Sequence, residues 1–355
     1  MLRLFSICLF ILNSIRTQCA TIDHRGIQFI SFTNLSSFEK SLDSSGCTDV
    51  LVSYPIASGI KWDELVVSWN AQMTSNSWLK VEARPFHGDT PAKFYNMGEW
   101  SSDRALTPRR CALHEKDEDG DVSTDTLILK RPADKVQLRL TISGEQRPTI
   151  KFLSLCLTDT KFKPDALEPN RDAWGKLIEV PERSQMAYPN GKVLCSPTTV
   201  SMIMTYWSKK LERPELDHDV PDIVKEVYDE NWQGTGNWVF NTAYAGSFPG
   251  MRACVTRMSD VSELEDWIGQ GLPVALSLCY DRLRGKGPGP NGHLVVCVGF
   301  TKEGDVIIND PGTSKNIRKT FPRKNLIYAW ANSKNAVYLI YPENSQLPKD
   351  RFGHW

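Results

Sequence analysis

The chain changes its hydrophobic patterning once, near its middle, and that single change limits what it can fold into. Before about residue 160 the apolar residues fall in short alternating runs. After about residue 180 they recur first at helical spacing and then in strand-length blocks. In the first half, Glu64-Leu65-Val66-Val67-Ser68-Trp69 is rich in β-branched and aromatic residues. Leu79 to Arg84 and Val136 to Ile142 alternate apolar with polar, while Thr126 to Lys130 and Ile150 to Cys156 have strand length. Gly, Pro, Asp and Ser turns separate them, which argues for an antiparallel β-sandwich over residues 21–160. Residues 161–180 are polar and proline-bearing and read as a linker. Residues 181–345 give helices over 196–207, 219–231 and 261–270, then strands over 273–279, 293–300, 305–308 and 336–341. Residues 346–355 form a tail. The expected fold class is α+β, a mixed domain preceded by an all-β antiparallel sandwich.

A length of 355 residues suits two domains. The 42 basic and 42 acidic residues cancel, so nothing in the charge points to nucleic acid or to an anionic membrane surface. Residues 1–20 read as a signal peptide: Arg3, an apolar stretch from Leu4 to Leu12, then a small-residue exit near Thr17, Cys19 and Ala20. That stretch is short for a membrane span, so the expected mature protein is secreted and free of the membrane. Seven cysteines follow the leader. An odd number in an exported chain implies at least one free thiol, and no CxxC pair suggests zinc. Asn34-Leu35-Ser36 is a glycosylation acceptor pattern.

Four segments carry chemistry. Cys195 precedes Ser196-Pro197, and proline is tolerated in a first helical turn. Cys195 would therefore start a helix, where the dipole and unpaired N–H groups favour a thiolate. Cys254, Cys279 and Cys297 lie in or beside apolar runs and read as buried structural thiols. His293 opens the strand Leu294 to Phe300, whereas His24, His87, His114 and His218 sit in polar stretches. A histidine at a strand mouth can offer one ring nitrogen to a pocket and the other to a carboxylate. Asp310 ends the next strand, and a hairpin through Thr301 to Gly304 would return it to the histidine. Pleat alternation puts only one of Asn309 and Asp310 on that face; Asp310 is favoured and Asn309 is the alternative. Gln185, upstream in Arg183-Ser184-Gln185, could join the Cys195 N–H in holding an oxyanion.

Taken together, Ser184-Gln185, Leu194-Cys195-Ser196-Pro197-Thr198, Gly292-His293-Leu294-Val295-Val296 and Asn309-Asp310-Pro311 resemble the papain-like cysteine peptidases related to the double-glycine leader peptidases that process bacteriocins. The resemblance covers the C-terminal half. It implies a papain-like domain with Gln185 as oxyanion donor, Cys195 as nucleophile, His293 as base and Asp310 as orienting acid. Trp238 to Ala245 resembles a helix of secreted members. The chain shows no membrane bundle and no Walker motif, so it departs from the exporters of that group.

Three weaker features remain. The acidic run from His114 to Asp121 reads as a solvated hairpin rather than a calcium loop. Trp69, Trp78 and Trp100 read as sandwich core or edge rather than a sugar-stacking face, although glycan contact by the N-terminal domain stays open. The loop from Arg282 to Pro290 is either a lid or a plain connection. The expected function is a secreted thiol hydrolase acting on a peptide or protein substrate, with no metal or organic cofactor required. The alternatives are an amidase or transglutaminase-like acyl transferase using the same residues, and a catalytically silent secreted glycan- or peptide-binding protein.

Overall fold

The computed structural model describes residues 22–42, 48–104, 107–113, 115–289 and 291–355. The leader, Cys47 and His114 lie outside them. The first half forms an antiparallel sandwich from strands between Ile27 and Thr158. Its two longest strands, Ile56–Gln72 and Thr126–Ser143, each pair with more than one neighbour along their length. The first part of Thr126–Ser143 pairs with Glu64–Val66 and with Asp121–Ser123. Its last part pairs with Trp78–Phe86 and Thr48–Val52. Register shifts between Ile128 and Lys135 bend the strand between these partners, where Pro132 cannot donate to a ladder.

The second half is mixed, as its patterning implies. Helices α1 (Cys195–Leu211), α2 (Val220–Val227), α3 (Trp238–Ser247), α4 (Val261–Gly269), α5 (Tyr280–Leu283) and α6 (Arg323–Trp330) surround a six-stranded antiparallel sheet. The strand order is Met251–Arg257, Ala336–Pro342, Val274–Cys279, Gly292–Phe300, Val306–Asn309, Arg318–Phe321. Helix α2 stops four residues short of the expected end. Tyr228 is extended, and the Asp229 carboxylate then accepts the Asn231 and Trp232 N–H groups, fixing a loop instead. The polar stretch read as a linker is partly structural. Ile178 donates its N–H to Val298, and Gly175 to Phe300, filling the sheet where Val274–Cys279 ends. Residues 350–355 are packed as well: the Gly353 carbonyl accepts from Phe29 of the sandwich, and Trp355 stacks edge-on against Trp267.

The two halves meet along the free edge of the six-stranded sheet. An open edge leaves unpaired N–H and C=O groups, a liability unless it is covered. Here the sandwich covers it with side chains. The Asn70 amide donates to the Ala253 carbonyl at 2.7 Å and accepts the Ala253 N–H at 3.0 Å, while Ser68 Oγ accepts the Val255 N–H at 2.9 Å. Apolar packing closes the rest. Trp69 and Trp100 sit edge-on to Phe240 of α3, with ring centroids 6.3 and 5.3 Å away. Both tryptophans are buried at this seam and cannot offer a face to a sugar.

Candidate active site

Cys195 is the first residue of α1. Two short 3-10 turns, Gln185–Ala187 and Gly191–Val193, lead the chain to it, and Leu194 forms the cap. Helix α1 is buried along most of its length against the sheet. Its Ser196 hydroxyl lies 2.9 Å from the Tyr338 hydroxyl, and Trp207 donates to the Ile340 carbonyl. The start of the helix therefore cannot shift without unmaking core contacts. Cys195 is half-buried, while Cys111, Cys156, Cys254, Cys279 and Cys297 are buried; none of these six is in a disulfide.

His293 enters at the mouth of the strand Gly292–Phe300 and is buried. Its Nε2 lies 2.8 Å from Asp310 Oδ1, which leaves Nδ1 for Cys195. The hairpin through Thr301 to Gly304 is present, and Val296 pairs with Asn309. Asp310 follows that pair on the histidine side. Asn309 points the other way, donating to the Val180 carbonyl at 3.0 Å and accepting from Arg318 Nε at 3.1 Å. The choice left open by pleat alternation thus falls on Asp310 for position.

Asp310 has further partners. Tyr280 donates its hydroxyl to Oδ2 at 2.7 Å, and the Gly312 N–H donates to Oδ1 at 2.9 Å. The Tyr280 ring also lies against the imidazole, with centroids 4.2 Å apart. Gly312 leaves little room on another side: a Cβ there would sit 3.1 Å from His293 Cε1 and Nε2. The imidazole is thus held by a carboxylate, a ring face and a bare backbone. Tyr280 carried no signal in the sequence beyond its place next to Cys279, because its role depends on a hydroxyl reaching across thirty residues.

These contacts set the protonation of the pair. Burial alone would raise the Cys195 thiol. The His293 hydrogen bond and charge, with the Leu294 and Ser196 N–H groups, bring it below the ordinary thiol value. Burial would lower His293, but its bonds to Asp310 and Cys195 hold it up at about 9. Burial would also raise Asp310, and the His293 hydrogen bond and charge keep it below its usual range. The shifts run in the sense that favours a thiolate, an imidazolium and a carboxylate side by side. Cys254 and Cys297 show the contrast. Burial raises both thiols, Cys297 to about 12.

Gln185 is buried, and its N–H donates to the Pro311 carbonyl at 3.0 Å, tying its turn to the segment that carries Asp310. Its side-chain Oε1 has no hydrogen-bond partner among the described residues, so the amide keeps unused accepting capacity.

Cys195 and His293 open on a cleft of about 570 Å³ with a wall from each domain. The sandwich contributes Glu64, Ile128 and the turn Ser123–Thr126; the mixed domain contributes Trp232 and Trp238 among others. Residues 282–289 do not line it. That loop is tied to its own helix instead, through Lys286 N–H to the Asp281 carbonyl and Asn291 to the Asp281 carboxylate. It is not placed as a lid. The acidic run holds no metal-ligand cluster among the described residues; Asp117 caps its own turn by accepting the Asp119 and Gly120 N–H groups.

Comparison with known proteins follows this division. Residues 177–338 match the model of the Peptidase_C39 like family, and residues 48–157 match that of the Peptidase C39 N-terminal domain. A Bacillus anthracis crystal structure described as C39-like is similar at 17% identity and TM-score 0.38, over 48% of this chain and 99% of that one. The CBM22-1-GH10 modules of xylanase 10B from Clostridium thermocellum are similar at 8% identity and TM-score 0.18, over 44% of this chain and 31% of that one. No curated protein matches the chain.

Proposed function

Starting from a C-terminal domain that belongs to the Peptidase_C39 like family, we propose that this chain is a secreted thiol peptidase with Cys195, His293 and Asp310 as its catalytic residues and Gln185 as oxyanion donor. The observation that carries the reading is the 2.8 Å bond between His293 and Asp310, with His293 and Cys195 together lining one cleft. A thiolate next to an imidazolium is both nucleophile and proton source. The Cys195 sulfur attacks the amide carbonyl carbon, forming a C–S bond and moving the π electrons to oxygen. The Cys195 N–H, at the open end of a helix, and the Gln185 amide stabilise that oxyanion. Imidazolium gives its proton to the amine as the C–N bond breaks. Water, deprotonated by His293, then adds to the thioester and releases the carboxylate and the thiolate. Asp310 keeps the imidazole oriented and stays ionised throughout.

The reading also takes residues 1–20 as an export signal. No described helix is long and apolar enough to cross a membrane. Alkylation of the purified protein by iodoacetamide across pH, read by intact mass against Cys195→Ala, tests the chemistry. Labelling of Cys195 that stays fast well below the ordinary thiol range is expected. Slow labelling with the pH dependence of a free thiol would sink the proposal.

A further inference from the structure

Two pins fix the sandwich against the cleft. The Asp125 carboxylate accepts the Trp238 N–H at 2.6 Å, at the start of α3, so a turn of the sandwich is bonded into the mixed domain. At another point on the lining, Glu64 accepts from Arg257 at 2.7 Å and from Lys334 at 2.6 Å, and all three residues line the cleft. Ile128 pairs directly with Glu64 in the sandwich ladder and lies three residues beyond Asp125. It is therefore held in register with Cys195 from both sides, yet its side chain is 41% exposed.

The mixed domain contributes an aromatic surface to the same cleft. Trp232 is 44% exposed, and its indole lies over Gly234 and Gly236; a Cβ on either would come within 2.8 Å of the ring. Its N–H is held by Asp229, whose other oxygen accepts from Asn237 at 2.8 Å. The protein keeps two glycines flat beneath one indole, an arrangement that spends backbone freedom without burying the ring. Val193, 65% exposed and two residues before the nucleophile, adds a third apolar side chain to the lining. Exposed apolar groups gathered around a concave, mostly preformed site mark where a ligand's apolar group goes.

We propose that the N-terminal domain supplies part of the substrate-binding site, with Ile128 opposite Trp232 holding an apolar side chain of a peptide whose scissile carbonyl lies at Cys195. The inference rests on the thiol-peptidase reading and adds specificity to it. Both walls must be present for the subsite to exist, so the sandwich acts as a specificity-determining half of the site rather than as an appended module.

The test uses the full chain and acetyl-Ala-Ala-Ala chloromethyl ketone, with Leu or Asp substituted at each of the three positions in turn. Rates of Cys195 alkylation are read by intact mass and divided by the iodoacetamide rate of the same variant, which removes changes in thiolate reactivity. At one position Leu should exceed Asp by about 10-fold or more. Ile128→Asn should erase that preference and Ile128→Leu should keep it; both replace an exposed side chain without placing a charge opposite Glu64, so the fold is spared. Trp232→Ala should weaken the preference at the same position. A preference that survives both Ile128→Asn and Trp232→Ala, or no preference at any position, would overturn the inference. Slow iodoacetamide labelling of the parent protein would overturn the premise instead.

Discussion

Among its described residues the molecule buries two histidine–carboxylate pairs. His293 and Asp310 meet at 2.8 Å beside the cleft; His354 and Glu263 meet at 2.6 Å at the seam between the halves. Burial opposes the charge on both histidines, and in both the carboxylate bond prevails and raises the value. A perturbed titration therefore does not distinguish a reactive site from a structural one. The difference lies in what else each ring touches. The His354 ring spends its second nitrogen on the His24 carbonyl at 2.9 Å, and Glu263 spends its second oxygen on the Ser259 N–H and hydroxyl. Every group there is satisfied within the fold. At the other pair the second nitrogen faces a sulfur that opens to a cleft.

Cutting each pair separates the two roles. Asp310→Ala should lower Cys195 alkylation by peptidyl reagents, and any peptide turnover, by about 10²- to 10⁴-fold, because the imidazole loses its orienter and its charge support. Rate measurements at matched folded fraction check this. Glu263→Ala should leave the alkylation rate of folded molecules near that of the parent and cost about 3 kcal/mol of stability by stranding a buried partner; denaturant unfolding reads it. The comparison breaks if Glu263→Ala slows alkylation as strongly as Asp310→Ala.

A smaller effect follows from pH. Both histidines have folded values raised above the ordinary one near 6.5. Each contribution to stability is therefore complete below that value and lost as pH rises through the folded value, about 9 for His293. The lowered Cys195 thiol contributes in the opposite sense, because the unfolded chain keeps that proton to higher pH, and it offsets the His293 share. The melting temperature should fall between pH 7 and pH 10 through His354, and Cys195→Ala, which removes the offset, should steepen the fall near neutrality without touching the His354 share. The smallest expected effect is Tyr280→Phe. Losing one hydroxyl bond to Asp310 should cost about 1 kcal/mol and leave the thiol reactive, read by unfolding and alkylation together.

The residues that carry local signals were legible in the sequence. Pro197 marked a helix start, so Cys195 could be placed at its head. The turn Thr301 to Gly304 fixed a hairpin, so Asp310 could be brought back to His293. Alternating runs such as Val136 to Ile142 gave the strands of the sandwich. The groups that depend on distant partners were not legible. Asp125 meets the Trp238 N–H across 113 positions, and Asn70 meets Ala253 across 183. Nothing in either local sequence announces the other, because such pairing is set by how two finished surfaces pack. The tryptophans illustrate the same limit. The sequence could say that Trp69 and Trp100 were core or edge, but only the packed structure shows that the core they join includes a residue of the other half, Phe240. Met251–Arg257 and α6 escaped notice too, since their apolar residues contact elements far away in sequence.

The strand Thr126–Ser143 begins at the cleft and ends in the ladders of Thr48–Val52 and Trp78–His87. Its 18 residues span roughly 60 Å of extended chain, less the bend near Pro132. Its cleft end is pinned and its far end is laddered on two sides, so the distance between them is a built-in length. The wall of the cleft and the far ladder are therefore one continuous piece of backbone, and a one-residue slip at either end would turn the side chains at the other to the opposite face.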